Sequence, residues 1–242
     1  MTGQHSAVLA DEPERDPHAW RPPPGPVAIL PVESAAASPL FAEAVERAGG
    51  SVAPLSGATR GIIWLSYAHA DQLDDVLQEH PQVGWVQLPW AGVDAFSDVL
   101  RRPREGSLLV TSAKGAYAQP VAEHALAMLL GSMRLLPQRA RARSWNSVPA
   151  GTSLYGRTVL IVGAGGIARE LIRLLAPFGA SIVVVRRSAD PVAGAARTVP
   201  ADRLAAELPH ADAVVLAAAL TDGTRRLMGG AELALMKRRR TW

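Results

Sequence analysis

One stretch of the sequence carries residue types at a spacing that could do chemistry: Gly163-Ala164-Gly165-Gly166-Ile167-Ala168 fits the pattern G-x-G-x-x-G/A. A first glycine makes a tight turn, and a second lets the backbone come close to a pyrophosphate. A small residue at the last position lets a helix pack against the preceding strand. The start of that helix offers free N–H groups and a positive dipole end to an anion. The pattern alone is weak. Here the strand-like TVLIV precedes it, and Ile167, Leu171, Leu174, Leu175 and Phe178 follow at helical spacing before a second strand, SIVVV. That context makes Gly163, Gly165, Gly166 and Ile167 candidate dinucleotide-binding residues. The competing reading is a glycine-rich turn without a ligand.

A site selective for NAD carries an acidic residue at the end of the second strand, roughly 20 residues on, to accept from the ribose 2′-hydroxyl. Here the strand ends in Arg186-Arg187-Ser188. Guanidinium groups cannot accept hydrogen bonds but pair well with a 2′-phosphate. NADP is therefore favoured over NAD. The alternative is that both arginines form a solvated turn and the cofactor is NAD.

Other chemistries are thinly supported. The absence of cysteine excludes disulfides, thiolate metal sites and cysteine catalysis, and suits a reducing cytoplasm. His69, His80 and His210 lack metal-ligand spacing and are expected at the surface, and no metal is expected. Net charge is only +3, with much of the basic excess at Arg139, Arg141 and Arg143 and at Lys237 to Arg240. No aromatic residues interleave these charges in a way that would stack on bases, so no nucleic-acid partner is expected. No apolar run approaches the ~18 residues of a membrane span, so no membrane partner is expected either.

The chain has 242 residues, 48% apolar and 19% charged, enough for one large or two ordinary domains. Residues 1–25, with PPPGP, read as a disordered leader. From Val27 the texture alternates. VAILPV, SVAPL, GIIWLSY, GWVQLPW and SLLVTSA are strand candidates. SPLFAEAVERAGG, with Leu40, Phe41, Ala44, Val45 and Ala48 in helical register, and ADQLDDVLQEH, with Leu73, Val76 and Leu77, are helices. This rhythm implies parallel sheets covered on both sides. A long helix is expected from Gln119, with Pro120 in its first turn. It is apolar nearly all round from Val121 to Leu136 and should therefore be buried. The boundaries drawn are 26–113 for a first domain and 114–242 for the dinucleotide-binding domain.

Three segments together resemble the D-isomer-specific 2-hydroxyacid dehydrogenases, the group that includes glyoxylate/hydroxypyruvate reductases and phosphoglycerate dehydrogenases. They are VGWVQLPWAGVDAF, VTSAKGAYAQPVAEHALAMLLGSMR, and the run from LYGRTVLIVGAGGIA through RRS to ADAVVLAAALTDGTRRLMGGAELALMK. They cover about residues 27–237 in family order. The resemblance implies a flavodoxin-like substrate domain plus a doubly wound (Rossmann) NAD(P)-binding domain lacking its last strands. It implies that backbone N–H groups at Ala91, Gly92 and Val93, with Asp94 completing the motif, hold a substrate carboxylate. It places Ala219 on the cofactor-facing loop, where the family usually has proline. It also implies hydride transfer to or from C2 of a small 2-keto or 2-hydroxy acid, and a homodimer for the complete fold.

The same resemblance implies a carboxylate-binding arginine, a glutamate and an acid/base histidine in a segment after ELALMK. This chain instead reads RRRTW. Four basic residues and a tryptophan do not suit a buried parallel strand. The tail is therefore expected to be an out-of-frame or prematurely terminated end, with a basic patch for an anionic partner as the alternative. No catalytic residue is assigned. His124 lies early in the long helix, far from the family's proton donor, and is read as a packing or hydrogen-bonding residue. The implied activity is NAD(P)-dependent oxidoreduction, inactive in this chain. A non-catalytic dinucleotide-binding interaction protein is the alternative.

Overall fold

The computed structural model describes residues 20–36, 39–103, 106–145 and 149–237. Residues 1–19 of the expected leader and the RRRTW tail lie outside them. The chain divides into two units at Lys114 and Gly115.

The first unit runs β1 (Val27–Leu30), α1 (Val32–Ala36), α2 (Leu40–Arg47), β2 (Gly61–Trp64), α3 (Ala70–Glu79), β3 (Trp85–Gln87), α4 (Ser97–Arg101) and β4 (Leu109–Thr111). The strands pair in parallel in the order β1-β2-β3-β4. SVAPL does not become a full strand. It makes one parallel bridge, Val27 to Val52, on the outer side of β1. Val27 N–H donates to Ser51 at 2.8 Å and Ala53 N–H donates to Val27 at 3.1 Å. No bond from the Leu55 N–H to Ile29 follows among the described residues, and Pro54, whose missing N–H would point away from β1, suits this outer edge. Counted as a second strand, this stretch gives the order 2-1-3-4-5 of the flavodoxin-like fold. Ile62, Trp64, Leu73, Leu77, Val86, Leu88 and Phe96 form the core. α2 forms where expected, but none of its residues is buried; Leu40 and Phe41 are 49% and 37% exposed. Helical spacing states which side chains share a face, not whether anything covers it. Trp20 and Pro22 run beside Gly84, where an added Cβ would meet them at 3.1 and 3.0 Å.

The second unit runs α5 (Ala118–Met133), α6 (Leu136–Ala140), β5 (Thr158–Val162), α7 (Gly166–Leu175), β6 (Ser181–Arg186), β7 (Arg197–Pro200), α8 (Leu204–Glu207), β8 (Ala213–Leu216) and α9 (Gly230–Leu235). Its parallel sheet has the order β7-β6-β5-β8, the 3-2-1-4 portion of the doubly wound 3-2-1-4-5-6 arrangement. Alternate residues of β5 serve opposite faces. Val159 and Ile161 join Leu171, Leu175 and Val184, while Leu160 and Val162 join Val183, Val185, Leu204 and Leu208.

The long helix differs from expectation in two ways. It stops at Met133 and resumes only after Leu135, which adopts the left-handed conformation at φ 56°. Pro137 cannot donate to the Met133 carbonyl, and the N–H of Thr152 takes that acceptor at 2.7 Å. Gly151, at φ +94°, is needed there because a Cβ would lie 2.7 Å from the same oxygen. Nor is the helix buried all round. Ala122 and Met133 enter the core with α7, while Val121 and Met128 are 42% and 63% exposed.

Asp212, just before β8, ties this sheet together. It accepts the Thr158 N–H at 2.9 Å and the Lys237 ammonium at 2.8 Å. Desolvation pushes its carboxyl up. The bonds from Lys237 and Thr158, with the charges of Lys237 and Arg157, outweigh this and hold it below its ordinary value of 3.8. A depressed carboxyl contributes stability above its unfolded pKa and loses it as pH falls through the folded value. Asp212→Ala should cost about 1 kcal/mol at pH 7, allowing for solvent screening at Lys237. That cost should shrink below about pH 4. Urea unfolding at pH 7 and pH 3 checks this; equal losses at both would show that the charge is not the source.

Candidate functional site

The turn between β5 and α7 is built by two glycines in different situations. Gly163 has φ +110°, and a Cβ on it would lie 2.6 Å from the Ala217 carbonyl oxygen and 2.8 Å from the Ala218 nitrogen. Its N–H donates to the Val185 carbonyl at 2.7 Å. The first glycine is thus wedged between the ends of β6 and β8, and the protein's own backbone requires it. Gly165 has φ −77°, and nothing lies within 4 Å of an added Cβ. No protein group demands glycine at that position. Among the described residues, the N–H groups of Ala164, Gly165, Gly166 and Ile167 donate to no protein acceptor. α7 extends from this point over ten residues, with Ala168 fully buried. A row of open N–H donors at a helix start, with free space above it, is suited to an anion such as a pyrophosphate. The residues present fit the phosphate portion of a dinucleotide.

Two further groups converge on this turn. Val162 pairs with Val185, so Arg186, Arg187 and Ser188 follow directly on the strand beside the glycines. Among the described residues neither arginine pairs with a carboxylate. On the other side, the segment after β8 carries Ala219. Its carbonyl accepts the Thr224 hydroxyl at 2.6 Å, and Thr221 N–H donates to the same hydroxyl at 2.8 Å. Thr224 thereby shapes the loop that presents Ala219. The spacing Thr221-x-x-Thr224 is a side-chain turn signal that could have pointed to it. Thus Gly163, Gly165, Gly166, Ile167, Arg186, Arg187, Ser188 and Ala219 cluster at one end of one sheet, outside the carboxyl ends of its strands.

Ala91, Gly92 and Val93 belong to the first unit, in the loop after β3. All three are exposed, and among the described residues their N–H groups have no acceptor. The loop is held from both ends. Trp90 accepts from Ala113 at 3.2 Å, and Val93 accepts from Phe96 at 3.0 Å. Sequence reasoning missed Tyr67. Its hydroxyl donates to Asp94 at 2.6 Å, and its ring stands edge-on to the fully buried Phe96, with centroids 6.0 Å apart. The hydrogen bond to Asp94 and desolvation raise the phenol above its ordinary value of 10.0, so it stays a donor at neutral pH. Its position after the carboxyl end of a parallel strand was the available signal.

His124 is exposed on α5 and has no hydrogen-bond partner among the described residues, so the expected packing or bonding role is not seen. His69 and His210 are at the surface; His69 shares a 2.8 Å hydrogen bond with Ser66. His80 is half-buried, 3.4 Å from Gln82. Among the described residues no cluster of His, Asp or Glu could hold a metal ion, and no helix is long and apolar enough to cross a membrane.

Residues 124–241 match the family model described as D-isomer specific 2-hydroxyacid dehydrogenase, NAD binding domain. The chain is 37% identical over 139 residues to an (S)-sulfolactate dehydrogenase of Chromohalobacter salexigens, covering 55% of this chain and 45% of that one. It is 26% identical over 173 residues to a D-3-phosphoglycerate dehydrogenase of Methanocaldococcus jannaschii, covering 68% and 32%. An uncharacterized protein of Corynebacterium melassecola is 32% identical over 160 residues, 64% of this chain and 52% of that one. The chain therefore spans about half, or less, of the curated relatives it matches. Among solved structures, a D-isomer specific 2-hydroxyacid dehydrogenase from Xanthobacter autotrophicus, in complex with NADPH and MES, superposes with a TM-score of 0.72 at 20% identity. That match covers 89% of this chain and 70% of the other. It speaks for the fold alone. With its parallel sheet, its glycine turn at the carboxyl end of β5 and these matches, the segment 124–241 belongs with the NAD-binding domains of the D-isomer specific 2-hydroxyacid dehydrogenases.

Proposed function

We propose that residues 115–237 bind a nicotinamide dinucleotide, NADPH ahead of NADH. We further propose that the whole protein is an NAD(P)-dependent oxidoreductase acting on a small 2-keto or 2-hydroxy acid. The observation that carries the reading is the row of open N–H groups from Ala164 to Ile167 above an unfilled Gly165. In this reading Gly165, Gly166 and Ile167 hold the pyrophosphate. Gly163 keeps the turn closed against Ala217, and Ala219 lines the loop beside it. Arg186, Arg187 and Ser188 face the adenosine ribose. The open N–H groups of Ala91, Gly92 and Val93 bind the substrate carboxylate, and Tyr67 steadies that loop through Asp94. When bound, the nicotinamide supplies or takes the hydride at C2 of the substrate. The cytoplasm is the compartment that fits a chain without cysteine. A homodimer belongs to the same proposal, since Met128 and Trp145, 63% and 89% exposed, offer apolar surface that a second copy would cover.

Titration by energy transfer from protein to bound nicotinamide tests the cofactor assignment. NADPH should bind more tightly than NADH, and Arg186→Asp should remove the difference by taking away a cation and adding an anion. Equal affinities in the parent chain, or an unchanged preference in Arg186→Asp, would sink the assignment.

A further inference from the structure

Asp190 stands two residues beyond the candidate 2′-phosphate group, and its carboxylate accepts the Ser188 hydroxyl at 2.5 Å. Ser188 has one O–H, so that donor is committed to Asp190 and not offered to a phosphate. Arg186 and Arg187, by contrast, have no carboxylate partner among the described residues. The end of β6 therefore holds two free cations, one occupied hydroxyl and one exposed anion. A 2′-phosphate is drawn by the arginines and repelled by the carboxylate. A ribose 2′-hydroxyl finds an acceptor in that same carboxylate.

Resting on the dinucleotide reading above, we propose that Asp190 is the residue that sets nucleotide selectivity. By holding Ser188 and placing a negative charge beside Arg186 and Arg187, it reduces the preference for 2′-phosphorylated nucleotides to a modest one. The site then accepts both NADPH and NADH. Removing the whole carboxylate has two consequences for a 2′-phosphate: less repulsion, and a Ser188 hydroxyl free to donate. Together these give a gain of about five- to tenfold at low salt. For a nucleotide with a free 2′-hydroxyl, the same change removes an acceptor.

The test compares 2′,5′-ADP with 5′-AMP by calorimetric titration of the 242-residue chain, so that the readout does not depend on turnover. Asp190→Ala, which removes both the charge and the acceptor, should bind 2′,5′-ADP about five- to tenfold more tightly than the parent and 5′-AMP no more tightly. The gain should shrink as salt is raised from about 0.05 to 0.5 M. Asp190→Glu, which keeps the carboxylate, should stay near the parent ratio. The exposed position of Asp190 leaves folding intact, which thermal unfolding of each variant verifies. An unchanged affinity ratio in Asp190→Ala, or equal change for both nucleotides, overturns the assignment of Asp190 while leaving the cradle intact. Failure of the parent chain to bind either nucleotide, or NADH or NADPH, overturns the dinucleotide reading and this inference with it.

Discussion

Gly163→Ala should unfold or severely destabilise the second unit and abolish nucleotide binding. Its φ of +110° is one that residues with a Cβ rarely adopt. The new Cβ would also stand 2.6, 2.7 and 2.8 Å from the backbone of Ala217 and Ala218. These are atoms of the segment leaving β8, so no rotamer change relieves the contact. Backbone strain of about 1–3 kcal/mol and overpacking of similar size add to about 2–6 kcal/mol. That is a large share of the ~5–15 kcal/mol that holds a domain together. Gly165→Ala is the matched contrast. Its φ is ordinary and the space above it is empty, so stability should stay within about 0.5 kcal/mol of the parent. The added methyl would project into the space assigned to the pyrophosphate, and NADPH affinity should fall at least about tenfold. Urea unfolding and nicotinamide titration of both variants provide the check. Parent-like NADPH binding by Gly165→Ala would show that this turn is not the phosphate site.

The second large effect concerns turnover. The 242-residue chain should reduce neither glyoxylate nor hydroxypyruvate with NADPH or NADH at ordinary enzyme rates, ~1 s⁻¹ or more. No residue of the stretch at 27–237 is assigned the carboxylate-binding arginine, glutamate or acid/base histidine role that the resemblance implies. Acid/base transfer alone contributes roughly 10²–10⁴ in rate, and electrostatic stabilisation of developing charge a comparable factor. The open N–H groups at 91–93 and 164–167 can bind and orient, but they exchange no proton. His124, exposed on α5 and without a partner among the described residues, is no replacement. A spectrophotometric assay at 340 nm with saturating nucleotide decides the matter. Turnover near 1 s⁻¹ would defeat the proposal of an inactive chain, while nucleotide binding without turnover supports it.

Local signals in the sequence were sufficient for the strand–turn–helix–strand from Thr158 to Arg186. There the apolar strands, the glycine spacing and the amphipathic helix all agree. The alternation of strands and helices was also enough to place two parallel sheets, as found. Where local signals conflicted, tertiary context decided. Val52 pairs with Val27, but the stretch makes only that one bridge among the described residues. β7, bounded by Arg197 and Pro200, has too little apolar patterning to announce itself and exists because β6 offers it an edge. The apolar run from Val121 to Leu136 declared a buried helix. Its real end is set by the Thr152 N–H and by Gly151 closing on the Met133 carbonyl, partners more than fifteen residues away in sequence from much of the helix. The site divides in the same way. Residue types at Gly163–Ala168 and Arg186–Ser188 were legible because spacing along one strand and one turn encodes their chemistry. That Gly163 is wedged against Ala217, that Tyr67 reaches Asp94 across 27 positions, and that Gly165 faces empty space are properties of the folded chain. They depend on which segments lie side by side, and pairwise distance between remote residues is set by packing, not by pattern along the chain.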